Sequence, residues 1–75
     1  MIYTPKTELE LYEIYEKANK IKIIRNDKTE VTGRVYGFTQ SVDNDPEIAE
    51  IDIDLEDGTL SGAFLDEIES IEILE

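Results

Sequence analysis

The chain has 75 residues, of which nineteen are acidic and seven basic, so its formal net charge is −12. It contains neither cysteine nor histidine, which excludes disulfides and thiolate metal sites and removes the commonest general base and zinc ligand. Nucleic acids and anionic membranes bind surfaces rich in Lys and Arg, so the charge opposes both kinds of partner.

The length of the chain and its first residues indicate its domain organisation and its cellular location. A chain of this size has room for one modest core, so we expect residues 1–75 to form a single domain. No apolar run has the length of a signal peptide or of a transmembrane span. We therefore expect a soluble cytoplasmic protein of bacterial type and, because the chain starts at Met1, a complete one. The acidity favours solubility and steering towards a basic protein partner.

The first predicted element is an N-terminal helix over residues 4–20. Thr4-Pro5 offers an N-cap followed by proline at the first helical position, whereas Thr7 with Glu10 offers an alternative capping box. Four apolar residues follow at helical spacing and predict one stripe that packs on a sheet: Leu11, Ile14, Tyr15 and Ala18.

From residue 21 the apolar period changes to two, which indicates strands. Five strands are predicted, with a polar turn, a loop at 40–47 and an Asp57-Gly58 hairpin among their connections: 21–25, 29–39, 49–56, 59–64 and 68–74. In the last strand Ile68 is out of phase with Ile71, which predicts a bulge near Ser70.

The second predicted strand contains two glycines, Gly33 and Gly37, within an otherwise strand-forming stretch. Glycine inside a strand marks a bend, a bulge or a close backbone approach. Such a strand curls, as a small closed sheet requires. We therefore predict an α+β fold, with five strongly bent antiparallel strands closed into a barrel and the helix capping one end. A helix packed on an open sheet is the alternative.

Two stretches resemble the motifs of the Sm-like (LSm) superfamily. Residues 22–38 run from a strand through a polar turn into a hydrophobic-x-Gly-x-hydrophobic stretch and an aromatic, and they resemble the first Sm motif. Residues 62–71 are similar to the second motif, in which a small-residue strand turns into an Ile-x-x-Ile strand. Over residues 7–74 the order of elements implies an N-terminal helix followed by a five-stranded Sm-like or SH3-like barrel.

The chain departs from the RNA-binding members of that superfamily. These members follow the aromatic with Asp and hold a base with an Asn in the next loop. Here Thr39 follows Phe38, and Asn44 lies between two aspartates. Ser61-Gly62 replaces the Arg-Gly or Lys-His element of the second motif. No nucleic-acid-binding residue is therefore assigned, and nucleic acid is not an expected partner.

The chain is also similar in size, charge and order of elements to the small acidic Rho-binding antiterminator group. Those proteins cover a basic nucleic-acid-binding surface of a protein partner. The similarity implies that an acidic Sm-like barrel acts without touching RNA.

The clearest alternation in the sequence places carboxylates on every second residue of the third predicted strand. Side chains two residues apart point the same way at intervals of about 7 Å. Such a row suits an Arg- and Lys-rich partner groove or collects cations, whereas the alternative is the solvated face of an antiparallel sheet. We assign the row as the candidate partner-binding residues: Glu50, Asp52, Asp54 and Glu56.

The sequence gives no catalytic or metal-binding assignment and no cofactor. Asp43–Glu47 is rich in oxygen ligands, but a calcium loop starting at Asp43 needs glycine at its sixth position, where Ile48 stands. We interpret it as a solvated turn.

We predict a non-enzymatic interaction or regulatory module that binds a basic surface of a protein partner, as a monomer or small homo-oligomer. The alternative is an Sm-like RNA-binding protein acting as a homo-oligomeric ring, assembled through the strand edges at 59–64 and 68–74.

Overall fold

The computed structural model describes all 75 residues, which form an α+β fold with one antiparallel sheet and one α-helix. The sheet has six strands in the spatial order β1-β6-β2-β3-β4-β5. In chain order the elements are β1 (Ile2–Tyr3), α1 (Glu8–Lys17), β2 (Lys20–Arg25), β3 (Glu30–Thr39), β4 (Glu50–Asp54), β5 (Leu60–Phe64) and β6 (Ile68–Ile73). One-turn 3₁₀ helices lie at Ser41–Asp43 and Leu65–Glu67.

Strand β1 precedes the helix, so the chain has six strands instead of the five predicted. It pairs with β6 in the register Ile2 to Glu72 and Tyr3 to Ile71. Lys17 at the end of α1 donates from Nζ to Tyr3 Oη at 3.1 Å and lies over the Tyr3 ring. Two residues carry no readable alternation, which is why the pattern did not reveal this strand.

Helix α1 is shorter than the predicted 4–20 because it starts at the second of the two caps considered. The backbone N–H of Glu10 donates to Thr7 Oγ1 at 3.2 Å, and the N–H of Thr7 donates to Glu10 Oε1 at 3.1 Å. The N–H of Lys6 also donates to Glu10 Oε1, and it is the largest cause of the lowered pKa of Glu10, followed by the Thr7 bond. This reciprocal capping box satisfies N–H groups that have no partner inside the helix.

The core lies between α1 and the inner face of the sheet. The helix contributes three of the four residues of its predicted stripe as buried side chains, and Tyr15 packs against them partly buried. The buried cluster comprises Leu11, Ile14, Ala18, Ile21, Ile23, Ala49, Ile51, Ile53, Ala63, Ile68 and Ile71. With only eleven members it is a modest core, as the length predicts.

The two glycines of β3 have different structural roles. Gly33 is buried, and a Cβ there would lie 2.2 Å from the carbonyl oxygen of Asp54, so only glycine permits this approach of two strands. At Gly37 a Cβ would meet nothing within 4 Å. The β3–β4 register shifts between Val35 and Gly37, which leaves Tyr36 as the extra residue of a bulge.

The sheet has β1 and β5 at its two edges. The side chain of Arg25 links β5 to β2, although the two strands are not neighbours in the sheet. Arg25 at the end of β2 donates from Nη2 to the carbonyl oxygen of Gly62 at 2.8 Å and to Ser61 Oγ at 3.2 Å.

A register shift after Ile24 leaves Glu69 unpaired, which confirms the bulge predicted beside Ser70. The ten-residue helix α1 is neither long nor apolar enough to cross a membrane.

Candidate functional site

The candidate site lies on the outer face of β4, which is held closely by both neighbouring strands. Residues Ala49, Ile51 and Ile53 are buried, so the alternate carboxylates point outward as predicted. A Cβ at Gly62 of β5 would lie 2.1 Å from the carbonyl oxygen of Ile51, just as Gly33 approaches Asp54 from β3. The backbone of β4 is therefore packed against glycine on both sides.

The predicted row of four carboxylates is split by the structure. Glu50, Asp52 and Asp54 lie on β4, but Glu56 lies in the following turn with a φ of 74°. The backbone N–H of Glu56 donates to Asp54 Oδ1 at 2.9 Å, and the Glu56 carboxylate lies 3.6 Å from Lys20 Nζ. Three of the four residues thus share one strand face, and the fourth is paired elsewhere.

Asp52 has the most unusual environment of the three. Its partners in register are Gly37 on β3 and Gly62 on β5, which have no side chains. Burial is the largest cause that raises the pKa of Asp52, to about 6, and the hydrogen bond and charge of Glu50 add to it. Charge is disfavoured because solvent is partly excluded and a second carboxylate is close. Glu50 is itself positioned by Asn44, whose Nδ2 donates to Glu50 Oε1 at 3.1 Å.

These carboxylates border a depression on the outer face of β4 and β5 with a volume of about 350 Å³. We call it the β5 groove, and its principal lining residues are Glu50, Asp52, Leu60, Gly62, Phe64 and Glu67. Glu67 comes from the 3₁₀ turn after β5, where its Oε1 accepts from the backbone N–H of Phe64 at 2.9 Å.

No cation lies within ion-pair distance of the three carboxylates of the β5 groove, because the paired cations contact other carboxylates. The ion pairs are Lys20 with Glu56, Lys22 with Glu30 and Glu72, Lys28 with Glu69, and Arg34 with Glu75. The groove therefore combines three carboxylates with the apolar side chains of Leu60 and Phe64, an arrangement that suits a cationic group carried on an apolar stem.

Sequence reasoning missed four residues that line this site: Leu60, Gly62, Phe64 and Glu67. Gly62 was considered only in relation to the second Sm motif, and Glu67 was given no role of its own. A glycine within the predicted strand 59–64 was the available signal, since a glycine in a strand often marks a close approach. In the loop at 40–47, Asn44 Nδ2 also donates to the carbonyl oxygen of Ile48 at 2.9 Å. No group of three or more Asp and Glu side chains is arranged to hold a metal ion.

The chain matches no protein-family model, no curated protein and no solved structure. The resemblance to the Sm-like superfamily therefore stays a prediction.

Proposed function

We propose that the protein is a small, non-enzymatic interaction or regulatory module of the cytoplasm. It binds a basic surface of a protein partner through the outer face of β4 and the β5 groove. The observation that carries this is the charge distribution: Glu50, Asp52 and Glu67 converge on one depression without an ion pair, while Lys20, Lys22, Lys28 and Arg34 are paired elsewhere. A concentrated negative potential steers a positively charged partner and fixes its orientation.

We further propose that the fold is an Sm-like barrel that has lost RNA contacts, close in character to the Rho-binding antiterminator group. Support comes from the helix followed by five antiparallel strands, the close approach of β3 to β4 at Gly33, and the tight turn at Leu65–Glu67. The carboxylates of the acidic face then attract a basic protein surface, as the phosphates of a nucleic acid do.

The proposed function is tested by comparing two variants that each lose three negative charges. The first, E50Q/D52N/D54N, neutralises the face of β4. The matched control, E13Q/D43N/E47Q, neutralises exposed carboxylates of α1 and the loop after β3 that make no ion pair. Wild type and both variants are immobilised, exposed to cell lysate and washed with rising salt.

We expect wild type and the control to retain the same protein partners at low salt and to release them at high salt. The Debye length falls from about 10 Å at 0.1 M salt to about 3 Å at 1 M salt, so a partner held by charge dissociates over that range. The β4 variant should retain none of them. A set of partners unaffected by salt, or retained equally by both variants, contradicts the proposed function.

A further inference from the structure

The β5 groove has a shape that a single side chain can fill. Leu60, Gly62 and Phe64 alternate along β5, so they share one face of the strand, with about 7 Å from one to the next. Gly62 leaves a gap between the two apolar side chains, of which Leu60 is 53% exposed. The gap runs across the strand, with Leu60 and Phe64 as its walls and Gly62 as its floor.

One end of this gap is open and the other is closed by a carboxylate. Strand β5 is last in the sheet order and Arg25 contacts its edge at Gly62, so the gap opens on the outer face beside that edge. At the inner end Asp52 is in register with Gly62, and its Oδ1 lies 3.0 Å from the place that a Cβ on Gly62 would take. Adjacent strands are about 4.8 Å apart, so the carboxylate is within reach of a long side chain that enters from the outer face.

The chemistry of the groove matches arginine. An aliphatic stem packs against Leu60 and Phe64, and a guanidinium stacks on an aromatic ring more readily than an ammonium does. Asp52 and Glu50 lie two residues apart at the closed end and offer carboxylate oxygens to the planar fork of donors. Arg25 contacts this strand at the neighbouring edge, where its guanidinium bonds Gly62 and Ser61 and makes no ion pair with either carboxylate.

We propose that the β5 groove binds one arginine side chain presented by the basic partner protein, with the guanidinium on Asp52 and Glu50 and the stem between Leu60 and Phe64. This assignment rests on the proposed function and specifies the contact that dominates it. A second copy of this chain is disfavoured as the occupant, since both molecules carry a net charge of −12.

The test is a titration of the ¹⁵N-labelled protein, followed by amide chemical shifts at pH 7.5 and low salt. The probe is N-acetylarginine amide, and N-acetylcitrulline amide is the control of the same shape without charge. We expect saturable shifts at Asp52, Leu60, Gly62 and Phe64 with the arginine probe only. In D52N the dissociation constant should rise about tenfold, the factor expected for a lost charged hydrogen bond. E50Q should weaken binding less, and E47Q should leave it unchanged.

Asparagine has the shape of aspartate, so D52N should keep the dispersed amide spectrum of wild type, and E50Q provides a second reading of the same site. Equal shifts with the citrulline probe, shifts spread over exposed carboxylates of α1, or unchanged affinity in D52N and E50Q would each overturn the arginine assignment. Salt-sensitive partners retained by wild type alongside any of these results would leave the proposed function standing. Groove binding without any retained partner would remove the proposed function and keep the groove.

Discussion

Asp52 shows how one residue couples the stability of the fold to the charge of the site. The folded protein holds the pKa of Asp52 at about 6, above the ordinary aspartate value of 3.8, mainly through burial and then through Glu50. The folded state therefore binds more protons than the unfolded state between these two values. The Asp52 contribution to stability is fully present below the unfolded pKa and is lost as the pH rises through 6.

We expect D52N to be more stable than wild type at pH 7.5, because the variant has no charge to bury beside Glu50. The gain should be about 1 kcal/mol, well below the full linkage value since solvent screens a partly exposed group. At pH 4 the difference should be smaller. Urea unfolding of wild type and D52N from pH 4 to 7.5 measures it, with E47Q as the exposed control, and a difference independent of pH would contradict the shifted pKa.

The residues of the site were only partly predictable. The alternation of residues 49–56 predicted which carboxylates point outward, because burial of Ile51 and Ile53 fixes the phase of the strand. It did not predict that the chain leaves the strand before Glu56, whose positive φ belongs to the turn. It also did not predict the groove, since Gly62 and Asp52 become neighbours only through the register of β4 and β5.

At the scale of elements, local signals were reliable where a few adjacent residues decide the structure. The capping box at Thr7 needs only Thr7 and Glu10, and the structure confirms it over Thr4-Pro5. The bulge in β6 follows from the phase of its apolar residues. Strand β1 was missed because its pairing partner lies at the other end of the chain, and two residues contain no periodic signal.

Strand β3 provides the sharpest prediction at this scale, because its two glycines differ in what surrounds them. G33A should lower the free energy of unfolding by at least about 2 kcal/mol, since its methyl group would overlap the backbone of Asp54. G37A should change it by less than about 1 kcal/mol, with a small gain from reduced freedom of the unfolded chain. The urea concentrations at the unfolding midpoint compare the stabilities of the two variants, provided that the dependence of the unfolding free energy on urea is the same in both. Equal losses in both variants would mean that Gly37 is packed as closely as Gly33.

At the scale of the whole molecule, charge and edge structure both bear on assembly. The ring alternative needs the edges of β5 and of the last strand, but β1 already pairs with β6 at Ile71 and Glu72, and Met1 accepts from Ile73 through its carbonyl oxygen at 3.0 Å. A short covering strand is a common protection of a sheet edge. Stacking copies that each carry −12 also costs electrostatic free energy.

We therefore expect a monomer of 8.6 kDa by light scattering at both low and high salt. Oligo(A) and oligo(U) should show no electrophoretic shift at concentrations where a basic RNA-binding control shifts both. A hexamer or heptamer that shifts RNA would reverse the ranking of the two functions.

The close packing of Gly33 and Gly62 against the backbone of β4 affects selectivity. A strand fixed from both sides keeps its outward groups at a constant interval in the free protein, so binding does not require them to be ordered first. A ligand whose positive groups match that interval gains the whole benefit of each contact, whereas a flexible polycation of equal total charge does not. Such a face selects ligands by the distance between their positive groups.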